Sequence, residues 1–92
     1  MTEQLLLQYT RLVEFLGHVL GPDYEIILHE ILPEQSRVAA IANGGISGRD
    51  VGAPITNAAL RMIMQKQYET SDYNLNYTGQ LANGKTIRSS TM

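Results

Sequence analysis

Apolar side chains return every three or four positions through the first twenty residues. Leu5, Tyr9, Leu12, Leu16 and Val19 form the stripe, and Leu6, Val13 and Leu20 widen it. That spacing predicts an amphipathic helix over 2–20, packed on its neighbour through Leu5, Leu12, Leu16 and Val19. Thr2 supplies an N-cap hydroxyl, and Gly21-Pro22 stops the helix because Gly tolerates a left-handed backbone and Pro lacks a donor. The period then changes to two. Tyr24, Ile26 and Leu28 alternate with Glu25, Ile27 and His29, which predicts a strand over Tyr24 to Ile31. Turn residues Pro33-Glu34-Gln35-Ser36 lead into Arg37 to Ala42, whose small and β-branched residues suit an antiparallel return strand.

Between Asn43 and Pro54 four glycines and a proline interrupt regular structure. Ile55, Ala58, Ala59, Met62 and Ile63 then make a second helical stripe, capped by Thr56 and expected to reach about Tyr68. Tyr73, Leu75, Tyr77, Gly79 and Leu81 alternate strictly with Asn74, Asn76, Thr78 and Gln80, the period of a strand with one wetted face. Asn83-Gly84 suits a two-residue type I′ turn, with Lys85 to Met92 as the return strand. Such a turn sets Leu81 opposite Thr86, Gly79 opposite Arg88, Tyr77 opposite Ser90 and Leu75 opposite Met92, all on one side. The order of elements argues an α+β domain, helices on one face of an antiparallel sheet. At 92 residues a single domain over 1–92 is expected, with a modest core.

Composition narrows the function. With 43% hydrophobic and 17% charged residues the chain has enough apolar side chains to fold. Seven scattered basic residues against nine acids argue against phosphate neutralisation, so direct nucleic-acid binding is not expected. Without cysteine there is no disulfide, thiolate metal site or thiol chemistry. The start lacks a basic region, Leu5-Leu6-Leu7 is too short for a signal peptide, and no stretch is long enough to span a bilayer. A cytoplasmic, non-membrane protein is expected.

His29 invites suspicion as a base, ligand or pH-dependent contact. With only His18 as a second histidine, a structural or partner-facing role fits better than a metal site. Ser47 lies in Gly45-Ile46-Ser47-Gly48, which is not the G-x-S-x-G spacing of a nucleophile elbow, and Gly44 to Arg49 matches no phosphate-binding glycine motif. Neither an enzyme nor a cofactor is implied. Arg49 and Arg88 say more, because a guanidinium grips a carboxylate or phosphate with two parallel bonds. The expected ligand is a small anion held between the sheet and the segment from Asn43 to Arg49. Arg88 would reach it across Gly79, and Asn43, Ser47 and Arg49 would meet it from the loop.

Several blocks together resemble the YheO-like PAS family of bacterial transcription regulators. They are Leu20 to Glu30, Ile41 to Arg49, Val51 to Thr56, Asn76-Tyr77 and Gly84 to Thr91, in the same order as in the family and over nearly the whole chain. The resemblance implies a sensory and interaction domain built on a five-stranded PAS-like sheet, usually followed by a helix-turn-helix region. This sequence stops at Met92, before the family's last PAS strand. An incomplete sheet with open edges is therefore expected, relieved by homo-oligomerisation, most simply as a dimer. The competing expectation is a purely structural dimerisation module that needs no ligand.

Overall fold

A computed structural model describes residues 1–32, 35–81 and 83–92. The chain forms two compact units, Met1–Ile55 and Thr56–Met92.

The first unit begins with helix α1, Glu3–Leu20, capped by Thr2, whose side chain accepts from the Leu5 N–H at 3.2 Å. Gly21, at φ 92°, ends it and donates to the Gly17 carbonyl. Strands β1 (Ile26–Glu30) and β2 (Arg37–Ala42) follow as an antiparallel pair. The turn expected at 33–36 lies partly outside the described residues; Ser36 Oγ accepts from the Leu32 N–H. The register shifts once: Leu28 faces Ala40 but His29 faces Val38, so β2 carries Ala39 as an extra, bulged residue.

Helix α1 lies on this hairpin by a different face from the one the stripe suggested. Its buried residues are Val13 and Gly17, with Leu6, Thr10 and Leu16 half-buried, whereas Leu5, Leu12 and Val19 remain exposed. The cause is the close approach at Gly17, where an added Cβ would stand 2.5 Å from the Ala42 Cβ. Helix and strand come nearest where both side chains are smallest, and hydropathy does not mark that place.

The glycine-rich segment returns along the free edge of β2. The Val38 N–H donates to the Ala53 carbonyl at 2.8 Å, the Gly52 N–H donates to the Val38 carbonyl at 2.9 Å, and Arg37 bridges to Pro54. Val38 is consequently fully buried. Beside it, Glu30 is buried as well and accepts from both Nε and an Nη of Arg37.

In the second unit α2 spans Asn57–Met64, with the Thr56 hydroxyl accepting from the Ala59 N–H. The helix does not continue to Tyr68 as one element. Lys66 takes a left-handed conformation at φ 55°, and a short 3₁₀ turn, Gln67–Glu69, follows. Strands β3 (Asn74–Gln80) and β4 (Thr86–Thr91) pair antiparallel, but one residue out of the expected register. Tyr77 faces Ser89, Thr78 faces Arg88, Gly79 faces Ile87 and Gln80 faces Thr86. The Leu81 N–H bonds to the Lys85 carbonyl, so the connection has three residues instead of two, of which Ala82 lies outside the described residues. Gly84 supplies the positive φ of 84°, and the Asn83 side chain accepts from the Lys85 N–H. A second irregularity lies between Asn74 and Tyr77, where Asn76 has φ 57°. The class is α+β, with two α-helices and two antiparallel two-stranded sheets among the described residues, consistent with a partial PAS-like fold.

Candidate functional site

Alternation divides β1 between two surroundings. Ile26 pairs with Ala42 beneath α1, so Ile27 and His29 face the other way, with Glu25 just before the strand. The segment 43–49 folds over that second face. Gly44 sits against Ile41, the partner of Ile27, and an added Cβ there would lie 2.7 Å from the Arg49 carbonyl and 3.0 Å from Ile41 Cδ1. The Gly48 N–H donates to the Gly44 carbonyl at 2.8 Å, closing the turn.

Glu25 anchors the loop. Its Oε2 accepts from the Ser47 N–H at 3.0 Å and from the Ser47 hydroxyl at 2.7 Å, and Ser47 Oγ accepts in turn from the Arg49 N–H at 3.3 Å. Asn43, at φ 58°, anchors the other end. Its Nδ2 lies within hydrogen-bonding distance of the Gly17, Gly21 and Tyr24 carbonyls, at 3.3, 2.9 and 2.7 Å, and so closes the C-terminus of α1. Two of the expected ligand residues thus hold the loop in place: the Ser47 hydroxyl proton and the Asn43 amide protons already have acceptors.

Arg49 and His29 differ. Arg49 is half-buried, and among the described residues no carboxylate comes within ion-pair distance of its guanidinium. His29 is held below the ordinary imidazole range, first by burial and then by the Arg49 charge. Its Nε2 is buried and has no hydrogen-bond partner among the described residues. A permanent cation beside a neutral imidazole can take a carboxylate or phosphate oxygen, which accepts from the Nε2–H of the imidazole tautomer protonated there. Among the described residues no group of three or more His, Asp or Glu is placed to hold a metal.

Sequence reasoning picked out Asn43, Ser47 and Arg49, and all three lie on this one loop. It set His29 aside and passed over Glu25; the signal for both was their shared face with Ile27, which gains meaning only once the loop is known to fold back on it. Arg88 lies in the second unit, on β4 opposite Thr78. The register turns it away from the face of Gly79 and Ile87, correcting the expectation that it reaches across Gly79.

A family model, the YheO-like PAS domain, matches residues 1–92. YheO of Escherichia coli (strain K12) is 32% identical over 88 residues, covering 96% of this chain and 37% of that protein. A protein of Haemophilus influenzae (strain ATCC 51907 / DSM 11121 / KW20 / Rd) is 36% identical over 62 residues, covering 67% of this chain and 28% of its own length. The chain therefore spans well under half the length of these relatives. There is no significant match among solved structures. With residues 1–92 matched by the family model and an α+β order of elements, the chain belongs to the YheO-like PAS domain family.

Proposed function

We propose that this domain is the sensory and interaction part of a cytoplasmic bacterial transcription regulator, and that it binds a small anion or carboxylate beside the segment 43–49. As a YheO-like PAS domain it is a regulatory type of module and not an enzyme. The observation that carries the ligand reading is Arg49, a half-buried cation with no carboxylate beside it among the described residues, next to a neutral His29 whose buried Nε2 lacks a partner. A buried polar atom left without a hydrogen bond costs on the order of 1 to 3 kcal/mol, which an incoming oxygen would recover. Arg49 is the binding residue in this reading. Ser47, through Glu25, positions it, and Asn43 links the loop to the end of α1, so that occupancy biases the helix. Arg88, on the face of β4 turned away from Gly79, has no part in this reading. The output would be a DNA-binding region elsewhere in the longer protein. No helix among the described residues is long and apolar enough to cross a membrane.

Calorimetric titration with inorganic phosphate and with small mono- and dicarboxylates tests this reading. Saturable binding by at least one probe, weakened tenfold or more in Arg49→Ala, is expected. Binding unchanged in Arg49→Ala would reject the site. A second reading, a structural dimerisation module without ligand, is favoured by one observation, the exposed apolar face of α1. It would be preferred if none of the probes bound.

A further inference from the structure

Asparagine followed by glycine occurs twice in the chain, as Asn43-Gly44 and Asn83-Gly84. The pair carries its own chemistry. Glycine has no side chain to hold its backbone nitrogen away from the preceding carboxamide, so that nitrogen can attack the asparagine Cγ and close a five-membered ring. The other asparagines, Asn57, Asn74 and Asn76, precede Ala58, Leu75 and Tyr77, whose side chains hinder the same approach.

The fold gives the two pairs opposite surroundings. Asn43 and Gly44 are half-buried, and the Asn43 Nδ2 lies 3.3, 2.9 and 2.7 Å from the Gly17, Gly21 and Tyr24 carbonyls. Turning that carboxamide towards the Gly44 nitrogen breaks the cap on α1 and leaves those carbonyls short of a donor. Gly44 also has no room to move, since an added Cβ would lie 2.7 Å from the Arg49 carbonyl. Asn83 and Gly84 are exposed at the tip of the β3–β4 hairpin, and a Cβ on Gly84 would meet no atom within 4 Å, so base and water reach this peptide freely. The Asn83 Oδ1 accepts from the Lys85 N–H at 3.0 Å, which draws electron density from Cγ and steadies the oxygen as charge develops on it. The Gly84 N–H donates to the Leu81 carbonyl at 2.9 Å, a bond at an exposed turn whose local opening costs little and frees the nitrogen.

We propose that Asn83-Gly84 is a site of spontaneous covalent modification in the folded protein, yielding isoaspartate and aspartate at position 83, and that the fold protects Asn43-Gly44 from the same reaction. The Gly84 nitrogen loses its proton to base and bonds to the Asn83 Cγ; the Cγ–Nδ2 bond breaks, and Nδ2 takes up a proton and leaves as ammonia. Water then opens the cyclic imide. Opening at Cγ gives aspartate, and opening at the Asn83 main-chain carbonyl gives isoaspartate, so that one water is consumed for each ammonia released. Isoaspartate routes the chain through the former side chain, which lengthens the three-residue connection by one carbon and adds a negative charge beside Lys85. The site stands apart from the anion reading and uses none of its residues.

Incubation of the whole chain at mildly alkaline pH, folded and in urea, tests the proposal. The tryptic peptides 38–49 and 67–85 separate the two pairs, fragmentation locates the exchange of amide for acid, and an isoaspartyl carboxyl methyltransferase with a labelled methyl donor counts isoaspartate. In the folded chain position 83 should react at least tenfold faster than position 43, and faster as the pH rises; in urea the two rates should come together. Asn83→Gln, whose longer side chain requires a six-membered ring, should remove most of the methyl acceptance. Position 43 keeping pace in the folded chain, reaction at position 83 only in urea, acid at position 83 without isoaspartate, or methyl acceptance unchanged in Asn83→Gln would each overturn it.

Discussion

At Gly17 two effects oppose one another. Replacing a mid-helix glycine by alanine ordinarily stabilises a helix by about 1 kcal/mol. Here the new methyl would stand 2.5 Å from the Ala42 Cβ, nearer than real Cβ atoms approach, and overpacking of that kind costs about 1 to 3 kcal/mol. Gly17→Ala should therefore destabilise the protein by a net 1 kcal/mol or so in a urea melt; a gain in stability would show that helix and hairpin separate easily. His29 gives a second test at this scale. Its folded-state pKa lies below the ordinary imidazole value, because burial and then Arg49 disfavour the cation. The unfolded chain thus takes up the proton first. Stability from this group is complete above the unfolded value of about 6.5, falls as the pH drops through it, and levels off below the folded pKa. One proton limits the slope to about 1.4 kcal/mol per pH unit. Urea midpoints from pH 7.5 to 5 should fall less steeply in His29→Gln than in the unaltered chain, and equal slopes would contradict the burial of the ring. Neither residue stands out in a hydropathy profile, because glycine counts as neutral there and the state of His29 depends on a loop twenty residues away.

The elements themselves were legible. Period 3.6 located both helices, Thr2 and Thr56 cap them as hydroxyls at those positions should, and period two located β1 and β3, with turn residues pointing to their return strands β2 and β4. Register was harder to read. Asn83-Gly84 suits a two-residue turn, but a three-residue connection using Gly84 at φ 84° and the Asn83 side chain serves the same ends and moves every partner by one. Bulges at Ala39 and near Asn76 were equally hidden, since an extra residue leaves the local alternation intact. Gly84→Ala should cost about 1 to 2 kcal/mol in a denaturant melt, the ordinary penalty of a left-handed backbone with a Cβ. Gly84→Asn should cost less, and an unaffected Gly84→Ala would mean that the turn relaxes to another form. The buried face of α1 follows the same lesson. Where two adjoining faces of a helix are both apolar, the one that packs is chosen by the shape of its partner, here the small residues of β2 beside Gly17. Val13→Ala should accordingly cost about 2 kcal/mol, and Leu12→Ala, on the exposed face, clearly less.

For the molecule as a whole, family membership was visible in several short blocks spread along the chain, and the elements agree with it. The site was half visible. A glycine-rich segment with one arginine suggested a loop able to approach a ligand, and Asn43, Ser47 and Arg49 do lie together; Glu25 and His29 join them only because the chain folds back over β1. The central claim is that an anion is received at Arg49 and His29. Its most direct measurement is an amide NMR titration of ¹⁵N-labelled chain with inorganic phosphate and a panel of small carboxylates. Saturable shifts concentrated at His29 and from Ser47 to Arg49, reaching Asn43 and the end of α1 and lost in Arg49→Ala, are the predicted result. Shifts that never saturate, or that centre elsewhere and survive Arg49→Ala, would contradict it.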